Sequence, residues 1–170
     1  EWTSLPSDHP IASVLHNFFF AFGVSPFPSL DISITSTIPV ASGLGSGAAV
    51  TVALVRALSS FFSLSIIDEQ VNQFTKKKKK LHHGTPSGID NTVITYARPV
   101  YFIKNQPIEI FKVGSPFTIV IGDTGLSAPT KESVGDVRKL WEADKARWEN
   151  VFDQIGQISK SAKEEIERGQ

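Results

Sequence analysis

Apolar residues recur at helical spacing early in the chain: Ile11, Val14, Leu15, Phe18 and Phe22, with Phe19 and Phe20 widening the stripe. Ser7-Asp8-His9-Pro10 stands before it as a start signal, a capping side chain followed by proline in the first turn. Gly23 to Pro28, with two prolines, ends that helix. Leu30, Ile32 and Ile34 then alternate with Asp31, Ser33 and Thr35, the pattern of a half-buried strand. Ala48 to Leu58 is apolar on nearly every face, which predicts a buried helix reaching about Phe62. After a short link over 63–65, Ile67, Val71, Phe74 and Leu81 predict a second helix to about His82. Thr92 to Tyr96, Val100 to Ile103, Ile108 to Phe111 and Phe117 to Ile121 read as strands, with a hairpin turn at Asn105-Gln106-Pro107. Pro129-Thr130 opens a last helical stretch in which Val134, Trp141, Trp148, Ile155 and Ala162 repeat every seven residues. That seam predicts a packed helix pair or one long helix bent at Gly156, with both tryptophans in the core. The expected fold class is α+β.

One stretch contradicts its own helix. Lys76 to Lys80 is an unbroken lysine run, and at 100° per residue it covers every helix face. Lysine is almost never fully buried unpaired. Three readings stand: an exposed helix end, a basic patch, or an error in the deduced sequence, since lysine runs correspond to adenine-rich DNA.

Composition narrows the classes. A chain of 170 residues is long enough for one domain with a sizeable core. Its formal net charge of zero provides no global field for nucleic acid or an acidic membrane surface. The apolar run Leu15 to Phe22 is too short to span a bilayer and is interrupted by His16 and Asn17. No basic segment leads into an apolar signal, so a cytoplasmic location is expected. Without cysteine there is no disulfide, thiol catalysis or thiolate metal site. The chain has no methionine and opens on Glu1, which leads us to expect a fragment or a processed product. No internal repeat or linker divides it.

The chemistry is concentrated in two stretches. Ile38-Pro39-Val40-Ala41-Ser42-Gly43-Leu44-Gly45-Ser46-Gly47-Ala48-Ala49 lies between the expected strand and the buried helix. Glycines at alternate positions allow positive φ and close ligand approach. The helix start after them offers unpaired N–H groups and the positive end of the helix dipole. Such a turn cradles phosphate, or else it is a tight turn packed for structural reasons. It is neither a Walker A loop nor a dinucleotide fingerprint. The second stretch is His83-Gly84-Thr85-Pro86-Ser87-Gly88-Ile89-Asp90-Asn91. Asp90, two residues after Gly88, reads either as a turn or cap residue or as a carboxylate projecting into a cleft. The adjacent His82 and His83 point to different sides of a helix, which argues against a metal pair. A third segment, Asp123-Thr124-Gly125 followed by Ala128-Pro129-Thr130-Lys131, closes a loop before the last helices.

Together these stretches resemble the GHMP kinase family, and within it the mevalonate kinase branch. Pro39 to Ala48 matches the family loop P-x-x-x-G-L-G-S-S-A with one change, and His83 to Asp90 matches H-G-x-P-S-G-x-D at every fixed position. The resemblance covers most of the chain. It implies a ribosomal-protein-S5-like N-terminal domain, partial here, over 1–112, and the start of the C-terminal domain over 113–170. It implies ATP and Mg²⁺ as cofactors, mevalonate as the small-molecule partner, no nucleic acid or membrane partner, and room for a homodimer. It places Pro39, Gly43, Leu44, Gly45, Ser46, Gly47 and Ala48 on the nucleotide. Asp90 becomes the catalytic base. His83, Gly84, Ser87, Gly88 and Thr130 fall on the substrate side, while Asp123 is left to loop structure. Other members, phosphomevalonate kinase and diphosphomevalonate decarboxylase, are the neighbouring alternatives, and an inactive nucleotide-binding relative is a third. Two departures bear on activity. Gly47 replaces a family serine expected near Mg²⁺, which leaves Ser46 as the loop hydroxyl for the metal. Lys79, eleven residues before Asp90, stands where the branch carries a Mg²⁺-binding Glu. The chain by itself is therefore expected to be inactive.

Overall fold

The computed structural model describes residues 5–6, 9–38, 43–82, 87–122 and 130–170, with backbone alone for 76–82 and 130–131. The elements run α1 (Pro10–Ala21), α2 (Ser46–Phe61), α3 (Asp68–His82), α4 (Ile89–Tyr96), β1 (Val100–Tyr101), β2 (Glu109–Ile110), α5 (Thr130–Ala143) and α6 (Lys145–Arg168). They fall into two compact units, Glu1–Ala97 and Arg98–Gln170.

In the first unit, the apolar stripes of three helices meet. Val14, Leu15, Phe18 and Phe19 of α1 pack with Val52, Leu54, Val55 and Leu58 of α2 and Val71 of α3. Phe18 is fully buried, with the rings of Phe22, Phe74 and Phe62 at 4.6, 6.1 and 6.3 Å. Pro10 starts α1 as expected, behind His9, which caps without a side-chain hydrogen bond. The Ser7-Asp8 part of the start signal lies outside the described residues. Both α1 and α2 stop by the same device, a left-handed residue after the cap with paired return bonds. After α1, Gly23 has φ 64° and the N–H of Val24 donates to the Phe19 carbonyl at 2.9 Å. After α2, Ser63 has φ 53° and the N–H of Leu64 donates to the Ser59 carbonyl at 2.8 Å.

Several expectations give way here. Residues 30–35 form no ladder among the described residues and expose Ile32 and Ile34, because alternation produces a strand only where another edge pairs with it. Thr92 to Tyr96 is helix, not strand: the β-branched run is overridden by a helix start at Gly88 and by packing against α2 and α3. α2 is buried on one face only. Ala53, Arg56 and Ala57 are exposed, and its second apolar face lines an open groove of about 380 Å³ with Ile32, Ile34 and Ile38. α3, by contrast, runs through the lysine run to His82, as its stripe predicts.

The second unit is thinner. β1 and β2 form an antiparallel hairpin, Val100 opposite Ile110 and Tyr101 opposite Glu109, turned at Asn105 with φ 66°. The expected strands at 100–103 and 108–111 shorten to these two pairs, and Phe117 to Ile121 pairs with nothing among the described residues. α5 and α6 are a helix pair. The break is at Asp144, whose carboxylate accepts from the Arg147 N–H at 3.2 Å, and not at Gly156, which lies inside α6. Trp141 and Trp148 are half-exposed, not core, because α6 buries no residue completely. Lys163 of α6 pairs with Glu109 of the hairpin and sits 5.6 Å from the Tyr101 ring.

Phe18→Ala should cost about 3–5 kcal/mol in urea unfolding monitored by helix signal. Phe20→Ala, on the same helix but 84% exposed, should stay within about 0.5 kcal/mol.

Candidate functional site

The glycine-rich stretch ends in a helix start, as its composition demands. Gly43 and Gly45 have φ 77° and 73°, a region open to glycine and strained for other residues. Gly45 caps α2, and its carbonyl accepts the first helical bond, from the Ala49 N–H at 2.9 Å. The N–H groups of Ser46, Gly47 and Ala48 therefore sit in the first turn, where a helix has no internal acceptors for them. Gly47 lies in that turn with open space where a Cβ would stand, and its carbonyl accepts from the Thr51 hydroxyl at 2.8 Å. A groove of about 310 Å³ opens beside it, bounded by His9, Ile38, Ser46 and Gly47.

A second helix start is packed against the first. Gly88, with φ 85°, caps α4, and its carbonyl accepts from the Thr92 N–H at 3.1 Å and the Thr92 hydroxyl at 2.9 Å. The Ser87 hydroxyl accepts from the Ile89 N–H at 3.3 Å. Asp90 follows in the first turn, exposed, so it projects from a helix start and not from a loop. The juxtaposition is close: a Cβ on Gly45 would lie 3.3 Å from Ile94 Cδ1 and 3.7 Å from Asp90 Cβ. The structure thus brings the described loop residues Gly43 to Ala48 and the pair Gly88–Asp90 to one place.

The opposite side of α4 is polar and buried. Asn91, Thr92 and Thr95 are at most 1% exposed, as are Asn72 and Thr75 of α3. The Thr92 hydroxyl lies 3.4 Å from Asn72 Oδ1. Asn72 Nδ2, Asn91 Oδ1 and Thr95 Oγ1 lack a partner among the described residues. At the far end of α4, the Tyr96 hydroxyl donates to Glu69. That bond, then burial, then the negative charge of Glu69 push the Tyr96 phenol up to about 12. Arg56 of α2 donates through Nη2 to the Thr95 carbonyl at 2.6 Å and to Asp68 of α3 at 2.7 Å. Sequence reasoning passed over Arg56, although it is the one charge in the apolar stretch Ala48 to Leu58.

Pro39, His83, Gly84 and Asp123 lie outside the described residues, and Thr130 opens α5 in the second unit with its side chain undescribed. Lys79 is inside α3, also with its side chain undescribed. Among the described residues no group of three His, Cys, Asp or Glu gathers to hold a metal ion, and no helix is long and apolar enough to cross a membrane. The donor set suits Mg²⁺ only in the mode where the ion keeps waters and nucleotide oxygens and takes one or two protein oxygens, here from Ser46 or Asp90.

Residues 10–98, just over half of the chain, match the family described as GHMP kinases N terminal domain. The chain belongs to the GHMP kinases. It is 39% identical over 135 residues to a mevalonate kinase of Thermococcus sibiricus, covering 79% of this chain and 40% of that protein. With a mevalonate kinase of Pyrococcus abyssi the identity is 37% over 158 residues, 93% of this chain and 45% of that protein. The crystal structure of L. major mevalonate kinase in complex with R-mevalonate superposes with a TM-score of 0.69 at 26% identity, covering 96% of this chain and 51% of that one. This GHMP kinase chain therefore spans less than half the length of the curated relatives it matches. Its mixed architecture of helices with little sheet agrees with the expected α+β class.

Gly45→Ala should destabilise the GHMP chain by about 1–2 kcal/mol from backbone strain alone. Gly47→Ala should stabilise it by about 0.5–1 kcal/mol, since the site is helical and open; paired thermal melts would check both. The Tyr96 phenol titrates higher folded than unfolded. Its contribution to stability is therefore complete below its ordinary value of 10.0 and lost as pH rises to about 12. Unfolding curves across that window should steepen their pH dependence relative to Tyr96→Phe.

Proposed function

We propose that this chain is the nucleotide-loop region of a mevalonate kinase, which transfers the γ-phosphoryl group of ATP to the mevalonate hydroxyl and yields 5-phosphomevalonate and ADP. One observation carries the reading: Gly45 at the start of α2 lies against Asp90 at the start of α4. A phosphate on the first and a hydroxyl near the second would then be neighbours. The names of the relatives, and the R-mevalonate bound to the L. major enzyme, supply the substrate.

In this reading the N–H groups of Gly43 to Ala48 hold the nucleotide phosphates, with the α2 dipole favouring their charge. Pro39 and Leu44 shape the loop. The Asp90 carboxylate accepts the proton of the attacking hydroxyl as the O–P bond forms and the bond to ADP breaks. Ser87, Gly88, His83, Gly84 and Thr130 shape the substrate side. Mg²⁺, arriving with ATP, would offset phosphate charge beside Ser46. A cytoplasmic location and a homodimer fit a metabolic kinase. A second reading, a nucleotide-binding relative without catalysis, is favoured by Gly47 and Lys79, which remove a hydroxyl and a carboxylate from the family's metal site.

The test is ATP-dependent phosphorylation of R-mevalonate by the complete gene product that contains these residues, with phosphomevalonate and diphosphomevalonate as rival substrates. Asp90→Asn should lower kcat by about 10²–10⁴-fold with ATP binding retained, and Lys79→Glu should raise activity at limiting Mg²⁺. A folded gene product that binds nucleotide and phosphorylates none of the three substrates would establish the second reading.

A further inference from the structure

α4 is a helix of eight residues, about 12 Å long, and it carries Asp90 in its first turn. So short a helix has little stability of its own and takes its position from its neighbours. Its buried face is polar, and two of its polar atoms, Asn91 Oδ1 and Thr95 Oγ1, lack a partner among the described residues, so it does not grip α3 as an apolar face would. It meets α2 at both of its ends. At one level Gly45 lies against Asp90 and Ile94. At the other, Arg56 Nη2 donates to the Thr95 carbonyl at 2.6 Å.

That carbonyl is among the last of α4 and has no acceptor role inside its own helix. It lies at the negative end of the dipole, where a guanidinium is favoured. The bond is charge-assisted and part-buried, unlike an ordinary surface ion pair. The same nitrogen reaches Asp68 at 2.7 Å, in the first turn of α3, so one side chain joins three helices. The partner Asp68 is half-exposed, and its ion pair alone is worth little. Together with the Tyr96–Glu69 bond, the carbonyl bond sets where the end of α4 rests, and one continuous eight-residue helix carries that placement to its start.

We propose that Arg56 is a positioning residue for Asp90: by holding the C-terminal end of α4 on α2 and α3, it seats the Asp90 turn against Gly45. The proposal deepens the kinase reading and rests on it for its catalytic consequence, while its structural part stands on this chain alone.

The experiment separates the two. In the labelled 170-residue chain, the nuclear Overhauser contact between the Gly45 Hα and the Ile94 δ1 methyl reports the seating directly. Arg56→Met should abolish that contact and the exchange protection of the Thr92 amide, while the Ala49 amide of α2 stays protected. Arg56→Lys, which keeps a cationic donor for the Thr95 carbonyl, should restore the contact. If Arg56→Met does not fold, Arg56→Gln is read in its place by the same signals. A contact of unchanged strength in the folded neutral variant overturns the proposal. In the complete gene product, the neutral variant should lower kcat for mevalonate by about tenfold or more with KM for ATP unchanged. A gene product without kinase activity would count against the kinase reading, and the Gly45–Ile94 contact would still decide the role of Arg56.

Discussion

Two left-handed glycines set the geometry on which the site depends. Gly45 starts α2 with φ 73° and Gly88 starts α4 with φ 85°. Neither helix start could take this form cheaply with a side chain. Gly45 has a second reason to be bare, because a Cβ there would press on Ile94. Backbone conformation and close packing thus demand the same residue. The consequence is electrostatic as well as steric. Two helix N-termini are brought near one carboxylate, in a place where negative charge is favoured.

The rest of the first unit holds that junction in place. α1 and α2 are fixed by aromatic packing around Phe18, a rigid arrangement because interiors are close-packed. α4 is held differently, through buried polar groups, Arg56 and the Tyr96–Glu69 bond. Polar contacts are directional, whereas apolar burial is not. The helix bearing Asp90 is therefore placed by a few specific bonds, with Ile94 as its apolar contact to the core. An apolar seat for α4 would tolerate sliding; a carbonyl bonded to a guanidinium does not.

Much of the fold was legible. The periodic stripe of Phe18 and its neighbours, the helix over 68–82 and the glycine-rich start of α2 all follow from local rules, and so does the Asn105 hairpin. The strand at 92–96 misled because Thr92, Val93, Ile94 and Thr95 favour a pleated surface only when one is offered. What they meet is a capping glycine before them and two helices beside them. The half-exposed tryptophans misled for the converse reason. A heptad repeat shows that two helices face each other, not how much else covers them.

By itself, the sequence determined the family, the two motifs and the residues with special backbone needs, because glycine conformation and capping are properties of a few adjacent residues. It also showed the two departures, Gly47 and Lys79, since these are read against a local motif. Only the tertiary structure decided that Gly45 and Asp90, forty-five positions apart, are in contact distance, and that Arg56 closes the far end of α4. Pairings between distant segments depend on how helix faces pack, and many packings satisfy one hydrophobic pattern. The choice among them is made by the whole core at once.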